Sequence, residues 1–484
     1  MQVSHSQTFY PSRTAVPLSW KAVALLWLLP VLLTLAKASA SAILAATTAA
    51  FAVSVWAQLL NSRTLMITLP FIALLSPMTG FLDLGGAKIL YSDLLFPLLA
   101  VQASAIAITR PVQRLPKLLS LLGLMSILAT IAGVAMAYLD WLKPILYLLQ
   151  MALVAFFTCR AIKSYDDLTS LRNAWITAAV MGSVVLLQAY IEGRPLILIQ
   201  DSVEVMVFNL ADKLELFRSS YYYTNFHFVL GVCIVWTSTR LLFPSVKAQR
   251  FWHLCALSIL LLALLSSVNK TALISAGLAL MMTVVALLHR FRRSTASAMA
   301  FAALPASIVL GASAWQFAPF LNHQLDLIGD RLANAGSFFI RLEVYQQALN
   351  VWFSSPLNVL LGYGPSMLEA SSNPNVSQLF KISAVTGSAE GALDSAWLSY
   401  LIELGPFAAL LLAALFAKGI LNALRRLRSC ERFDEHAFAE ASLFGALVFL
   451  VIAMSTQMIG YSKISWLPLQ LLVVSAIGLR RASA

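Results

Sequence analysis

Residues 337–366 read SFFIRLEVYQQALNVWFSSPLNVLLGYGPS, and residues 391–405 read GALDSAWLSYLIELG. They lie in and beside a polar interval, residues 320–395, that interrupts a chain in which 60% of the residues are hydrophobic. The first segment predicts a helix that stops at Pro356 and leads into the turn Gly362-Tyr363-Gly364, because proline ends helices and glycine favours turns. The second segment begins another apolar helix. The interval is therefore predicted to be a large loop between membrane-spanning helices.

The whole chain has the composition of an integral membrane protein. Only 11% of its 484 residues are charged and its mean hydropathy is +0.81, which excludes a soluble globular fold. Apolar windows long enough to cross the bilayer recur along the chain and predict about 12–14 spanning helices. The apolar runs are continuous and do not alternate, which favours helices over a barrel. We expect an all-α, polytopic transmembrane bundle, with residues 1–484 as a single membrane domain and the 320–395 loop, containing short helices, inserted between spans.

Basic residues near the ends of the predicted spans orient this bundle. Lys and Arg are retained on the cytoplasmic side of membrane proteins. If both termini are cytoplasmic, the 320–395 loop is outside and the basic clusters fall inside, at residues 110–117, 240–250, 290–293, 418–432 and 480–481. This bias and the attraction of anionic lipids explain the net charge of +12, so no nucleic-acid partner is needed.

The four cysteines are predicted to be packing residues. Cys159, Cys233, Cys255 and Cys430 fall in spans or inside loops and show neither close pairing nor metal-ligand spacing. We therefore expect no disulfide in the outer loops and no metal site.

Three cations remain on the predicted outer side, each beside an apolar helix where an unpaired charge is costly. Arg218 opens the segment FRSSYYYTNFHFVLG, and Lys270 lies in the polar link SSVNKTALIS. Arg341 lies on the predicted loop helix, with Ser337 and Tyr345 four residues away on either side and on the same face. The three cations together predict an anion-binding site. Each also has a structural explanation, since interfacial Arg and Lys anchor helices and a loop helix has a solvated face.

The order of these features resembles the O-antigen ligase and Wzy-type polysaccharide polymerase superfamily of bacterial envelope glycan enzymes. Its members have an outward Arg-aromatic-Asn segment, a charged turn between two spans, and an outer loop with an Arg helix, a Pro and a Gly-x-Gly. A His or Asp then opens a span that reads Leu, Glu, Gly. The matching residues here are Arg218, Tyr221, Tyr222, Asn225, Asn269, Lys270, Arg341, Pro356, Gly362, Gly364, Asp394, Leu401, Glu403 and Gly405.

Two positions depart from the family pattern. Lys270 stands where the family usually has Arg, which keeps the charge but loses the planar fork that suits phosphate. Asp394 stands where the ligase branch has His, whereas several polymerase-like members have an acidic residue there.

The resemblance implies transfer of a glycan from an undecaprenyl-diphosphate-linked oligosaccharide at the periplasmic face of the bacterial inner membrane. It implies that Arg341 and Lys270 stabilise the diphosphate leaving group and that Asp394 is the catalytic base. The predicted substrate-binding residues are Arg218, Tyr221, Tyr222, Asn225, Ser337, Tyr345, Gly362, Gly364 and Glu390. Glu390 is also the less favoured candidate for the base.

Other residues and partners have weaker assignments. Trp352 and Tyr363 are further candidates to stack on sugar rings, although core packing explains most aromatic residues of this kind. Glu403 lies inside a span and is predicted to pair with a neighbouring helix. No cofactor is implied. Membrane lipids are partners, and a chain-length regulator and other envelope glycan assembly proteins are compatible ones.

The activity we expect is that of an inverting, metal-independent polymerase of exopolysaccharide or O-antigen repeats. One alternative is a ligase that moves the finished glycan to another acceptor. A transporter or flippase is a second alternative, because many spans with few charges fit it equally well. The candidate residues cluster at one face of the membrane, whereas a transporter needs polar residues near the midplane, and this favours the enzyme.

Overall fold

A computed structural model describes residues 19–60, 62–79, 82–84, 87–89, 91–109, 115–139, 141–192, 203–210, 214–221, 226–241, 247–266, 270–291, 345–365, 395–431, 435–454 and 466–477. The helices in these ranges are α1 (Trp20–Leu35), α2 (Ala40–Leu60), α3 (Ser62–Thr79), α4 (Tyr91–Thr109), α5 (Lys117–Ala135), α6 (Leu142–Ala161), α7 (Tyr165–Glu192), α8 (Phe226–Leu241), α9 (Lys247–Ser266), α10 (Lys270–Phe291), α11 (345–352), α12 (Pro356–Leu361), α13 (Ala396–Ser429), α14 (Glu435–Met454) and α15 (Trp466–Ala476).

The prediction of an all-α polytopic bundle is confirmed. Among the described helices, six are long and apolar enough to cross a membrane, and seven shorter ones are apolar as well. The short helices α11 and α12 lie within the predicted loop.

Two antiparallel hairpins, which the sequence reading did not predict, lie between helices. One joins β1 (Leu82–Leu84) to β2 (Ala87–Ile89), and the other joins β3 (Val203–Leu210) to β4 (Leu214–Tyr221). Valine at every second position from 203 to 207 is a strand signal that a search for spanning helices overlooks.

Helices α7 and α14 form the centre of the bundle. The apolar stretch of α14 is 89% buried and that of α7 is 72% buried, whereas α5 is only 28% buried. Helix α14 packs against α8, α10 and α13, and α7 packs against α1, α3, α8 and α9. Beyond the charged residues of their first two turns, both helices are largely apolar on all sides, which is the pattern of a helix surrounded by other helices.

Small residues allow the central helices to approach one another closely, as in many membrane proteins. A Cβ atom on Gly231 of α8 would lie 2.1 Å from the ring of Phe449 on α14. A Cβ atom on Gly445 of α14 would lie 2.3 Å from the hydroxyl of Thr283 on α10. By contrast, Gly277 on the exposed side of α10 has open space around it.

A few buried polar contacts link distant helices. The indole N–H of Trp175 on α7 donates to the side-chain carbonyl of Gln470 on α15, at 2.9 Å, and both residues are fully buried. Such a pairing satisfies groups that lipid cannot satisfy. The four cysteines, all within the described ranges, form no disulfide, and all except Cys255 are buried, as expected for packing residues.

The bundle has two chemically different ends. At the first, which we call the basic end, Arg240 near the end of α8 bonds to Glu435 at the start of α14, and Arg290 near the end of α10 donates to the carbonyl of Cys430 after α13. At the second, which we call the turn end, residues 362–364 contact the start of α13 and the end of α5. The helices between them run the full length of the bundle, about 30 Å for a helix of 20 residues.

Replacing Gly231 by Ala should destabilise the protein by about 1–3 kcal/mol, because the new methyl group displaces the packed Phe449 ring. The measurement is thermal unfolding of the purified protein in detergent. Gly277→Ala is the matched control and should leave stability unchanged or slightly raised. Equal unfolding temperatures for the two variants would contradict the close packing of α8 and α14.

Candidate functional site: the glycine turn and the kink of α13

The local sequence fixes the start and end of α12. Pro356 occupies its first turn, where a missing N–H costs nothing. The helix ends at Gly362, whose amide donates to the carbonyl of Asn358 at 2.8 Å. Gly362 and Gly364 have φ angles of +77° and +101°, which L-residues with a side chain rarely adopt. The predicted Gly362-Tyr363-Gly364 turn therefore forms, and it directs the chain back towards the bundle.

The turn docks on a kink in α13. Gly405 has φ +77° and ψ 171°, so the helix breaks there, and Pro406 follows. Proline has no N–H to donate to the carbonyl four residues earlier, which is that of Ile402. The amide of Tyr363 donates to this carbonyl at 3.0 Å, and the amide of Gly364 donates to the carbonyl of Glu403 at 2.7 Å. The turn thus supplies the donors that the kinked helix lacks.

The two backbones touch so closely that only glycine fits. A Cβ atom on Gly362 would lie 2.3 Å from the carbonyl oxygen of Glu403, and one on Gly405 would lie 2.4 Å from that of Leu360. On the other side, a Cβ atom on Gly133 of α5 would lie 2.2 Å from the carbonyl oxygen of Tyr363. The turn is therefore clamped between α13 and α5.

Tyr363 anchors the turn from within. Its side chain is fully buried, and its ring lies 5.2 Å from that of Tyr138. The hydroxyl donates to the carbonyl of Val351 and accepts from Ser354, at 2.6 Å. Burial raises the pKa of Tyr363, so the hydroxyl remains a donor. The suggestion that Tyr363 stacks on a sugar is wrong, because no face of its ring is accessible.

An apolar cavity of about 410 Å³ adjoins the turn. It is lined by α5, α6, α13 and α15, with Met454 of α14 and Pro365, the residue after the glycine turn. Its polar side chains are Ser120, Ser126, Tyr147, Tyr400 and Glu403. A volume of this size and an apolar lining with a few polar groups are typical of a ligand pocket.

Three of the polar groups of the cavity interact with one another. Tyr400 forms a side-chain hydrogen bond with Tyr147 and lies within electrostatic range of Glu403. Glu403 is 1% exposed, and its backbone carbonyl is the one that receives the amide of Gly364. The sequence reading assigned Glu403 to helix pairing. In the structure the side chain of Glu403 lines the cavity, where the turn and the kink meet.

The structure describes the backbone of some of the other predicted site residues. Lys270 is the first residue of α10, and because Arg290 near the other end of this helix lies at the basic end, Lys270 lies at the turn end. Arg218 and Tyr221 are on β4, where Arg218 pairs with Met206 of β3. Tyr345 is the first described residue of α11. Gly362 and Gly364 form the turn itself.

The remaining predicted site residues are Arg341, Asp394, Tyr222, Asn225, Ser337 and Glu390, which lie outside the described residues. Asp394 immediately precedes Ser395, whose hydroxyl caps α13 by accepting from the amide of Leu398. Within the described ranges, no group of three or more His, Cys, Asp or Glu residues is arranged to hold a metal ion.

Sequence reasoning missed the cavity and four of its polar residues, Ser120, Ser126, Tyr147 and Tyr400. Glu403 could be found from the sequence, because it belongs to the Leu-Glu-Gly pattern. No sequence pattern marks Tyr147, because its approach to Tyr400 depends on how α6 packs beside α13.

A family model described as O-antigen ligase matches residues 254–413. The matched segment is 160 of the 484 residues, and the similarity is a property of this segment. This match confirms the predicted superfamily, and it includes α11, α12, the glycine turn and the kink of α13. Together with the apolar helices, the match supports a multi-pass, glycan-handling membrane protein that is similar in this segment to O-antigen ligases and polymerases. No curated protein matches the chain.

In the matched segment, replacing Gly405 by Ala should destabilise the fold by about 2–4 kcal/mol, because the new side chain is strained at positive φ and collides with the carbonyl of Leu360. Thermal unfolding in detergent measures the effect, with Gly277→Ala as the control. A Gly405→Ala protein as stable as the control would show that the kink does not depend on glycine.

Proposed function

We propose that this protein is a polysaccharide polymerase that transfers a growing glycan from undecaprenyl diphosphate to the terminal sugar of a lipid-linked repeat unit. The observation that carries the proposal is the apolar cavity beside the glycine turn, within a domain of the O-antigen ligase family. A donor of this kind has an apolar chain and a highly charged diphosphate. An apolar cavity next to a polar loop suits both parts.

The proposed reaction needs no intermediate on the protein. The acceptor hydroxyl oxygen attacks the anomeric carbon of the donor sugar, and the bond from that carbon to the phosphate oxygen breaks. The proton of the hydroxyl passes to a carboxylate, for which we propose Asp394, with Glu390 as the alternative. Undecaprenyl diphosphate leaves, and the configuration at the anomeric carbon is inverted.

Cations stabilise the leaving group in this proposal. The negative charge on the diphosphate increases as the glycosidic bond breaks, and fixed cations stabilise it without a metal ion. We propose Arg341, Lys270 and Arg218 for this role. The start of α10 at the turn end supports the inclusion of Lys270. The end of α11 contacts the turn, because the hydroxyl of Tyr363 donates to the carbonyl of Val351, and Arg341 precedes this helix in the sequence.

The family match and the apolar cavity also support a ligase, because a ligase uses the same lipid-linked donor. The two reactions differ only in the acceptor. Asp394, which stands where the ligase branch has His, favours the polymerase.

Deletion of the gene in its host separates the two activities. Lipid-linked glycans and the surface or secreted polysaccharide are compared side by side on a sizing gel. We expect single lipid-linked repeats to accumulate and polymer to disappear. Accumulation of long unattached chains would identify a ligase instead, and no change in either fraction would support a transporter.

Replacing Arg341 by Ala should abolish long-chain product, because the leaving group loses a cation, while the protein still inserts in the membrane. The measurement is the chain-length distribution in a deletion strain that carries the variant. Arg331→Ala, a charge removal elsewhere in the same loop, should leave chain length unchanged. Full-length polymer from the Arg341→Ala strain would refute the assignment.

Replacing Gly123 by Leu tests whether the cavity holds the lipid chain. Gly123 lines the cavity, and a Cβ atom there meets nothing within 4 Å, so a larger side chain can fill the space without strain. We expect an approximately tenfold loss of kcat/KM with a long polyprenyl donor, as about 1.4 kcal/mol of apolar contact is lost. For a water-soluble, short-chain donor, kcat/KM should be the same as in the wild type.

The matched control for this test is Gly277→Leu, which also puts a leucine in open space on a spanning helix. This variant should leave kcat/KM unchanged with both donors. Equal loss with the long and the short donor in Gly123→Leu would mean that the cavity does not receive the lipid chain.

A further inference from the structure

Residues 352–361, which we call the elbow, join the end of α11 to α12 and have an apolar outer side. Three of the elbow's side chains are large, apolar and exposed, with accessible fractions of 63% for Phe353, 41% for Leu357 and 51% for Leu360. On α11, by contrast, the exposed residues before the elbow are Gln346 and Asn350, which are both polar. The exposed side of the segment therefore changes from polar to apolar at the elbow.

The backbone of the elbow is held in place from its inner side. The indole N–H of Trp352 donates to the carbonyl of Asn358 at 3.1 Å, and the hydroxyl of Tyr363 donates to the carbonyl of Val351. Val351 and Asn358 are buried, and α12 packs against α13 and α5. The inner side of the elbow therefore packs on the bundle, and these bonds hold the backbone that presents the apolar outer side.

The length of α13 gives the depth of the elbow in the membrane. Arg425 is the first arginine of the basic cluster, which we expect at the headgroups of the basic end, and it lies 20 residues after Gly405. This interval of helix spans about 30 Å, the thickness of the hydrocarbon core. Lys418 lies about two turns before Arg425, and its long side chain reaches towards the same headgroups. Because the backbones of Leu360 and Gly405 are in contact, the elbow lies at the opposite boundary of the hydrocarbon.

The neighbouring helices expose apolar side chains at the same end of the bundle. Phe407 follows the kink of α13, Ile131 and Val134 lie near the end of α5, and all three are exposed. Trp141, just before α6, is exposed as well, and tryptophan is enriched at the membrane interface. In a membrane-spanning bundle, such side chains meet lipid. Because α12 packs on α5 and α13, the outer side of the elbow continues their lipid-facing surface.

We propose that the elbow is a membrane anchor, in which Phe353, Leu357 and Leu360 insert among the acyl chains of the leaflet at the turn end. The partner is phospholipid, because the elbow lies at the hydrocarbon boundary and its apolar side continues a lipid-facing surface. A helix with one apolar side lies in the interface and binds through the apolar area that it buries there. The polar residues exposed on α11 then face the headgroups and the water.

The anchor also bears on the proposed transfer reaction. It holds α11 beside the headgroups, at the level where a lipid-linked diphosphate lies, and Arg341 precedes α11 by four residues in the sequence. This consequence rests on the proposed function, whereas the anchor itself rests only on the contacts and exposure of the elbow.

Photocrosslinking tests whether the elbow meets lipid. Phe353→p-benzoylphenylalanine, a close analogue of the native residue, is introduced into the full-length protein, which is reconstituted in nanodiscs of phosphatidylethanolamine and phosphatidylglycerol and irradiated. Phospholipid adducts are measured by mass spectrometry. The matched positive control is the same replacement at Phe407, an exposed phenylalanine on α13, and the control for the polar side is Gln346. We expect the adduct yield at Phe353 to match that at Phe407 and to exceed that at Gln346 several-fold.

Two results would overturn the anchor. A crosslink from position 353 to another part of the chain or to a second copy of the protein would show that protein covers the elbow. A lipid yield no higher than at Gln346 would show that the elbow faces water. If the Phe353 variant does not fold, the same replacement at Leu357 decides by the same criteria. Lipid adducts at Phe353, in a protein whose gene deletion leaves the polymer unchanged, would support the anchor and refute the polymerase.

Discussion

The turn end depends on two backbone carbonyl groups. The kink at Gly405 and Pro406 leaves the carbonyls of Ile402 and Glu403 without hydrogen-bond donors from their own helix. A membrane-spanning helix cannot leave backbone acceptors unpaired in an apolar environment. The glycine turn supplies the missing amides, from Tyr363 and Gly364. The broken helix and the turn therefore require each other. Gly133 of α5 packs against the other side of the turn, so the turn also holds α5 in place.

This arrangement explains why an apolar cavity and a polar loop meet at one place. The kink tilts the start of α13, whose residues Tyr400 and Glu403 line the cavity beside α5 and α6. Pro365 continues from the turn at the cavity wall. A ligand with an apolar chain and a charged head fits such a boundary, and lipid-linked glycans have this form.

The two ends of the bundle handle charge differently. At the basic end, buried arginines meet acids and an aromatic ring inside the helix packing, with Arg426 and Glu440 in a complete ion pair. At the turn end, the described contacts are mostly backbone hydrogen bonds and glycine packing, and the transfer site that we propose takes its charges from Lys270 at the start of α10 and from residues outside the described ranges. A scaffold that is rigid without using charged residues leaves those residues available for substrate.

Composition and local turn residues are enough to predict the class of the protein and the position of the turn. Hydropathy predicts the spans because lipid permits only helices or closed barrels, and Pro356 with two glycines marks a turn because their backbone angles are intrinsic to the residues. Only the tertiary structure decided that the turn docks on α13, that Tyr363 is buried, and that Glu403 lines a cavity with Tyr147. Likewise, the contacts of the elbow with α5 and α13, which place its apolar outer side beside lipid-facing helices, join segments that are far apart in the sequence. Such contacts depend on how helices pack against each other, and no local preference encodes that.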